Sequence, residues 1–297
     1  MNREQIKKIL YGLGKLLSIL GLGFLFYKLS KEYTLESFYS HLVAYKFIIL
    51  PLIIINLLSP MIGIVGWRLM LKKYAKKGFS YLTAYYYYSK TEIAKYLPGN
   101  VFHFVGRQAM ASKLGISQME MAKVSLLHNI FLIIGTFAAT TAFTLFSSSI
   151  DIKIKLLLVI ATIGSIVAIM FMYPSFSKTQ KLKLAVVFAI SIGLHGIMMG
   201  WIMQVQVKSM DPSLFFEVAA IYIISWFIGL ATPGASGGLG VREGAFIAIA
   251  EFLHLPVATE VVLFSILFVR FINILVDLLM YLTTFLLPKR TIETIDL

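Results

Sequence analysis

Long apolar stretches constrain this chain more than any other feature of its sequence. An α-helix needs about 20 apolar residues to cross the hydrocarbon core of a bilayer. Six stretches of about that length or longer follow one another along the chain, at residues 10–29, 47–71, 121–147, 154–173, 183–207 and 257–287. Hydrophobic residues make up 59% of the chain and charged residues 14%, whereas soluble domains are about half apolar and a quarter charged. This balance excludes a soluble enzyme, a disordered chain and a coiled coil, and it predicts an all-α polytopic membrane protein.

The basic excess also fits a membrane protein. Lys and Arg outnumber Asp and Glu by 27 to 14, a net charge of +13. Many of these residues lie at the ends of apolar stretches, where positive-inside orientation and anionic lipid explain them, so we expect no nucleic-acid partner. The first apolar stretch follows Arg3, Lys7 and Lys8 and has no small-residue cleavage site, which predicts a retained anchor. The chain has no cysteine, which excludes disulfides and thiolate metal sites.

Two further apolar stretches, at about 79–114 and 214–250, are interrupted by Pro and Gly. Pro lacks a backbone donor and Gly relaxes the chain, so neither stretch is predicted to be one straight helix. Each is either a kinked span or a re-entrant hairpin. The re-entrant alternative places more Lys and Arg on the cytoplasmic side of the membrane, as the positive-inside rule requires. It also places both termini in the cytoplasm. We expect the membrane to be the plasma membrane. The predicted turn or hinge residues are Pro98, Gly99, Pro233, Gly234, Gly237, Gly238 and Gly240.

The two broken stretches also predict an internal repeat. In each, an Arg follows the Pro at the ninth position, Arg107 after Pro98 and Arg242 after Pro233. The spacing of about 135 residues between the motifs also aligns the flanking apolar stretches. We therefore expect a single integral membrane domain over 1–297, with one repeat at about 1–148 and a second at about 149–290. Each would hold three transmembrane helices and one broken re-entrant segment, eight hydrophobic segments in all, and three crossings would invert the second repeat.

Ionisable residues in the first broken stretch indicate an anion site. A charged side chain at membrane depth costs about 2.5–3.5 kcal/mol and needs a partner or a cavity. His103 and Arg107 are four residues apart and would share one face of a helix. With the dipole of the half-helix after Gly99, they predict a basic pocket for phosphate or a similar anion. In the alternative interpretation, Glu92 and Lys95 only neutralise each other.

The second broken stretch offers Ser236, Arg242 and Glu243 next to a Gly-rich backbone. The backbone amides of its glycines could form an anion-binding nest. Alternatively, the glycines permit close helix packing. The amides in question belong to Gly237, Gly238 and Gly240.

The last apolar stretch carries Arg270, Asn273 and Asp277 on one helical face. Arg270 and Asp277 could neutralise each other, or Arg270 could pair with Glu243 or line a central cavity. His128 and His195 are interpreted as core histidines, and the tyrosines between residues 81 and 88 as an interfacial belt.

Both motifs resemble the transmembrane domain of the lysylphosphatidylglycerol synthase/flippase family. They read Lys95-Tyr-Leu-Pro-Gly-Asn-Val-Phe-His-Phe-Val-Gly-Arg107 and Pro233-Gly-Ala-Ser-Gly-Gly-Leu-Gly-Val-Arg-Glu-Gly244. The resemblance implies an inverted-repeat lipid translocase with re-entrant helices, which moves aminoacylated phospholipid between leaflets. Synthase activity is not implied, because that family places it in a separate soluble domain. The residues that match, and would line the lipid pathway, are Pro98, Gly99, Asn100, Arg107, Pro233, Gly234, Gly237, Gly238, Gly240, Arg242 and Glu243.

We therefore expect a lipid translocase and not an enzyme, without cofactor or metal. Its cargo would be an anionic or aminoacylated phospholipid or a lipid-linked glycan intermediate. Its expected partners are membrane lipids, a separate lipid synthase or glycosyltransferase, and further copies of the chain in an oligomer. Two alternatives remain. Undecaprenyl-diphosphate phosphatases share the Pro-Gly-x-Ser pattern of residues 233–236, which would make the protein a lipid-diphosphate phosphatase, and the same basic cavity could carry small anionic solutes. The candidate substrate-binding residues are Glu92, Lys95, Asn100, His103, Arg107, Ser236, Arg242, Glu243, Arg270 and Asp277.

Overall fold

The computed structural model describes residues 45–75, 78, 80–97, 102–207, 209–233 and 235–287, together with residues 5, 36, 39, 40 and 43. This part of the chain is all-helical. Its α-helices are α1 (Lys46–Ala75), α2 (Tyr81–Glu92), α3 (Phe102–Met110), α4 (Gln118–Phe146), α5 (Ile152–Phe171), α6 (Lys178–Gln206), α7 (Pro212–Ala231), α8 (Val241–Phe252) and α9 (Thr259–Thr283). Short 3₁₀ helices lie at Ile93–Tyr96, Ser112–Leu114 and Ser236–Gly238.

Six of the described helices are long and apolar enough to cross a membrane: α1, α4, α5, α6, α7 and α9. The prediction of an all-α multi-pass membrane protein is confirmed. Five of the six coincide with predicted apolar stretches. The predicted first span at 10–29 lies outside the described residues, and the sixth helix is α7, the first arm of the second broken stretch. That arm has 20 residues, against 12 for α2, so the first arms of the two broken stretches differ in length.

Local sequence explains where several helices begin. Ser117 and Glu120 form a capping box at the start of α4, and Ser177 and Gln180 form another at the start of α6. Each box satisfies backbone N–H groups that the first helical turn leaves without partners. At α7, the Asp211 side chain accepts from the amide of Ser213. These caps set the ends of the helices that surround the site.

Helix α6 packs against α1, α4, α5, α7 and α9 and forms the centre of the bundle. Glycine makes its contact with α4 possible, since a Cβ atom at Gly135 would lie 2.7 Å from the carbonyl carbon of Phe188. Small residues allow such close approach in membrane helices. By contrast α5 lies at the periphery, where Ile169 is its only buried side chain. The core therefore surrounds α6, and α5 presents apolar side chains outward.

Both broken stretches form helical hairpins, and both interruptions were predicted correctly. Helix α2 and the 3₁₀ turn after it end at Tyr96, and α3 begins at Phe102, while α7 ends at Ala231 and α8 begins at Val241. The arms of each hairpin pack against each other, and the two 3₁₀ turns at the hairpin tips, Ile93–Tyr96 and Ser236–Gly238, are also in contact. Of the predicted hinge residues, Pro98, Gly99 and Gly234 lie outside the described residues. The meeting of the two tips positions the candidate site.

Candidate functional site at the meeting of two interrupted helices

A partly open cavity of about 130 Å³ lies where the two hairpin tips meet the surrounding helices. A volume of this size holds several water molecules. Seven of the predicted substrate-binding residues line it, namely Glu92, Lys95, His103, Arg107, Arg242, Arg270 and Asp277. Glu243 is buried next to Arg270 but does not line the cavity. Asn100 and the side chain of Ser236 lie outside what the structure describes.

Arg107 is buried among aromatic rings and carries one carboxylate partner. Its Nη2 donates to Glu92 Oε2 at 2.9 Å. The guanidinium carbon lies 5.7 Å from the ring of Trp67, 5.1 Å from Tyr88 and 5.9 Å from Phe104. Its Nε and Nη1 atoms are buried and have no hydrogen-bond partner. Arg107 is therefore held firmly in place and retains unused donors. The predicted helix-dipole contribution before α3 stays a prediction, because residues 98–101 are not described.

Asp277 connects the first hairpin tip to α9. Its Oδ2 lies 2.8 Å from Lys95 Nζ and accepts from the Tyr96 hydroxyl at 2.6 Å. Lys95 also lies 3.4 Å from Glu92, so the predicted pairing of those two residues is confirmed. The alternative that Asp277 neutralises Arg270 on its own helix is wrong. Lys95 pairs with Asp277 instead. The predicted alternative pair of Arg270 and Glu243 is confirmed, with 3.6 Å between Arg270 Nη1 and Glu243 Oε1.

Two arginines converge on one carbonyl at the second tip. Arg242 Nη2 donates to the Gly237 carbonyl at 3.2 Å, and Arg270 Nη1 donates to the same oxygen at 2.9 Å. The guanidinium of Arg270 also lies 5.6 Å from the ring of Tyr96. Arg242 Nε, Arg270 Nε and Arg270 Nη2 are buried without partners. This tip therefore brings two cations together beside the cavity.

Two of the three glycine amides predicted to form an anion nest have partners within the turn. The amide of Gly240 donates to its own helix-capping residue, Glu243, at 2.8 Å, and the amide of Gly238 donates to the Ala235 carbonyl at 3.0 Å. Gly237, Gly238 and Gly240 have φ angles of 55°, 73° and 78°, a region that glycine adopts without strain. In this conformation the turn presents the Gly237 carbonyl to the two arginines. Gly229 lies opposite the turn, where a Cβ would be 3.1 Å from Arg242 Cβ.

Two histidines interpreted as core residues also line the cavity. His195 Nε2 lies 3.0 Å from Ser59 Oγ, and its Nδ1 is buried without a partner. His128 packs between the rings of Tyr88 and Phe188, and its Nδ1 also has no partner. The interpretation of His195 as a satisfied core histidine therefore holds for one of its two ring nitrogens. Tyr88 is buried at the cavity wall, so the interfacial-belt prediction is wrong for this tyrosine.

Sequence reasoning missed the contribution of α1. Asn56 Nδ2 donates to Asn273 Oδ1 at 2.8 Å, and Ser59 Oγ donates to the Ser191 carbonyl at 2.7 Å. Both α1 residues line the cavity, and both are buried. Two polar residues three positions apart within an otherwise apolar stretch were the available signal, because they share one helical face.

Apolar side chains also line the cavity. They include Leu132 of α4, Ile192 of α6 and Trp226 and Leu230 of α7. We call these four residues the apolar wall. Because cations, carboxylates and uncharged polar side chains line the same cavity, the site offers both polar and hydrocarbon contacts.

The unused arginine donors define what the site can bind. Guanidinium groups bind carboxylate and phosphate with paired N–H groups, and each buried donor without a partner favours a ligand that supplies an acceptor. Among the described residues, no group of three His, Cys, Asp or Glu side chains is placed to hold a metal ion. Comparison of the sequence with known protein families and with curated proteins found no match.

Proposed function

We propose that the protein is a translocase of the plasma membrane that carries amphiphiles with an anionic headgroup between leaflets, and that the cavity is its headgroup site. The observation that carries this proposal is the set of buried guanidinium N–H groups without partners on Arg107, Arg242 and Arg270. An unsatisfied buried donor costs about 1–3 kcal/mol, and more when it is charged. A phosphate oxygen at these atoms would remove that cost during each transport cycle.

The apolar wall supports an amphiphile over a soluble anion. A lipid presents phosphate and the first carbons of its glycerol or isoprenoid chain together, so it matches a cavity lined by both polar and apolar side chains. A small hydrated anion gains nothing from Leu132, Ile192, Trp226 and Leu230. The acyl chains would stay in the bilayer while the headgroup crosses. The cargo classes consistent with the sequence motifs are anionic or aminoacylated phospholipids and lipid-linked glycan intermediates, supplied by a separate lipid synthase or glycosyltransferase.

We also propose that the two halves form inverted repeats with re-entrant hairpins and cytoplasmic termini. Helices α1, α2, α3 and α4 begin at residues 46, 81, 102 and 118, and α6, α7, α8 and α9 begin at 178, 212, 241 and 259. Each helix thus has a counterpart at a similar separation.

A reciprocal contact between α1 and α6 supports a pseudo-twofold axis. Ser59 Oγ donates to the Ser191 carbonyl at 2.7 Å, and Ser191 Oγ donates to the Ser59 carbonyl at 2.8 Å. These residues are 132 positions apart, close to the spacing of the two Pro-Gly motifs. Exchange of identical contacts is expected where related elements cross a twofold axis.

The proposal is tested with purified protein in unilamellar vesicles that contain a headgroup-labelled fluorescent anionic lipid. A membrane-impermeant reductant quenches only the outer leaflet in empty vesicles, and transport by the protein brings inner-leaflet lipid within its reach. We expect Arg242→Gln and Arg270→Gln each to slow this second phase at least tenfold, since each removes donors from the headgroup site. Lys123→Gln is the matched control, because Lys123 is exposed on α4 and does not line the cavity.

Wild-type transport rates in the Arg242→Gln/Arg270→Gln double variant would contradict the proposal. Two parallel assays separate the alternatives. Release of inorganic phosphate from a lipid diphosphate would identify a phosphatase. Uptake of radiolabelled phosphate into vesicles, without lipid movement, would identify a solute transporter.

A further inference from the structure

The charges around the cavity identify the class of headgroup more narrowly. Three cations each have a carboxylate of their own: Arg107 with Glu92 at 2.9 Å, Lys95 with Asp277 at 2.8 Å, and Arg270 with Glu243 at 3.6 Å. These three pairs are electrically neutral.

Arg242 is the remaining Lys or Arg among the described residues that line the cavity. Within the described part of the chain, no carboxylate oxygen lies within 4.0 Å of its side-chain nitrogens. Its hydrogen bond goes to the neutral carbonyl of Gly237, and its Nε has no partner. The residues of the two breaks that are not described, 98–101 and 234, have uncharged side chains. The two breaks themselves therefore supply no carboxylate to Arg242.

We infer that this cavity binds an amphiphile whose headgroup carries one net negative charge. This inference rests on the proposed function. With such a headgroup the cavity and its ligand are neutral together. A zwitterionic headgroup would leave Arg242 uncompensated, a lysyl ester would add positive charge, and a phosphomonoester would bring excess negative charge. Each mismatch is penalised because charges in a site of low dielectric constant are poorly screened by water.

The preferred class is therefore a phosphodiester lipid with an uncharged polar headgroup. Among the cargoes that the motifs suggest, the inference favours a plain anionic phospholipid over an aminoacylated one. It also disfavours a diphosphate-linked glycan, whose two phosphates each carry negative charge.

The test measures lipid binding to the purified protein by native mass spectrometry, with equimolar lipids of matched acyl chains. The probes are phosphatidylglycerol, phosphatidylcholine, lysylphosphatidylglycerol and phosphatidic acid. The experiment is run at pH 8, above the ordinary pKa of about 6.5 for histidine, so that the cavity histidines add no charge. We expect phosphatidylglycerol to bind at least about tenfold more than each of the others, a ratio that corresponds to about 1.4 kcal/mol.

Variants that change the cavity charge by one unit sharpen the test. Arg242→Gln removes the unpaired cation and leaves only the three neutral ion pairs. This variant should therefore bind phosphatidylglycerol and phosphatidylcholine about equally. Asp277→Asn and Glu243→Gln each raise the positive excess, so the preferred lipid should become phosphatidic acid. Two variants with this charge are used because Asp277 also accepts a hydrogen bond from Tyr96 in the first hairpin tip, so Asp277→Asn also perturbs that tip. Glu243→Gln keeps an acceptor for the Gly240 amide. Lys123→Gln, outside the cavity, should keep the wild-type order.

Equal binding of the four lipids, a wild-type preference for lysylphosphatidylglycerol, or an unchanged order in Arg242→Gln would overturn the inference. The proposed function fails separately. Selective binding that follows cavity charge, without any movement of lipid between leaflets, would contradict translocation and leave the assigned headgroup class standing.

Discussion

The pair formed by Glu92 and Arg107 offers the most direct test of how the cavity charges are held. Replacement of Glu92 by Gln keeps an oxygen acceptor near Arg107 Nη2 but removes the negative charge. Arg107 cannot move to water, because its side chain is only 2% exposed. The variant therefore leaves a buried guanidinium group with no carboxylate partner.

The expected size of the effect follows from this geometry. Unit charges about 4 Å apart attract by about 4 kcal/mol at an effective dielectric constant of about 20. Breaking a buried ion pair by removing one partner typically costs about 3–5 kcal/mol. Glu92 is 18% exposed toward the cavity, and Gln retains a hydrogen bond, so we expect the lower end, about 3 kcal/mol of unfolding free energy.

Chemical unfolding in mild detergent, followed by tryptophan fluorescence, measures this loss. The double variant Glu92→Gln/Arg107→Gln removes both charges and should recover about 2 kcal/mol relative to Glu92→Gln alone. Lys123→Gln, which removes an exposed charge, should change stability by no more than about 0.5 kcal/mol. A Glu92→Gln protein as stable as wild type, or a double variant less stable than both single variants, would show that Arg107 does not depend on Glu92.

Three further predictions concern packing and hydrogen bonds. Gly135→Ala should destabilise the protein by about 1–3 kcal/mol because its Cβ would meet backbone of α6 at 2.7 Å, whereas Gly164→Ala meets nothing within 4 Å and should be neutral or stabilising in the same unfolding assay. Tyr96→Phe removes a hydroxyl that donates to a carboxylate at 2.6 Å and should cost about 1.5–3 kcal/mol, while an unchanged unfolding midpoint would argue against that bond. Ser59→Ala and Ser191→Ala should each cost about 0.6 kcal/mol, and a double-mutant cycle with no coupling energy between them would contradict the reciprocal contact.

Hydropathy and chain breaks were the most predictable features. The apolar length needed to cross a bilayer is a local property of the sequence, and five of the described spanning helices coincide with stretches identified from it. Pro and Gly interrupt helices through their own backbone chemistry, so both breaks were predictable. The exception is α7, which reaches spanning length because its helix continues from Pro212 to Ala231 before the break.

The charged residues of the site were recognisable in the sequence because a charge at membrane depth is energetically costly and therefore rare. Their partners were only partly predictable. The pair of Glu92 and Lys95 and, as one alternative, the pair of Arg270 and Glu243 were predicted. The pairs of Arg107 with Glu92 and of Lys95 with Asp277 were not predicted. Arg270 and Asp277 are seven residues apart, which is about 10 Å along a helix, and other segments supply the partner of each. Glu243 and Lys95 do so from the two hairpins.

The sequence by itself determined that the chain is a helical membrane protein with two interrupted hydrophobic segments and basic residues at depth. The tertiary structure alone decided which of the alternative ion pairs form, that the Gly237 carbonyl faces the arginines, and that Asn56 and Ser59 of α1 reach the cavity. The physical reason is that hydrophobicity and helix breaking act between residues close in sequence. Ion pairs and peptide orientations depend instead on distances of about 3 Å between segments that only packing brings together.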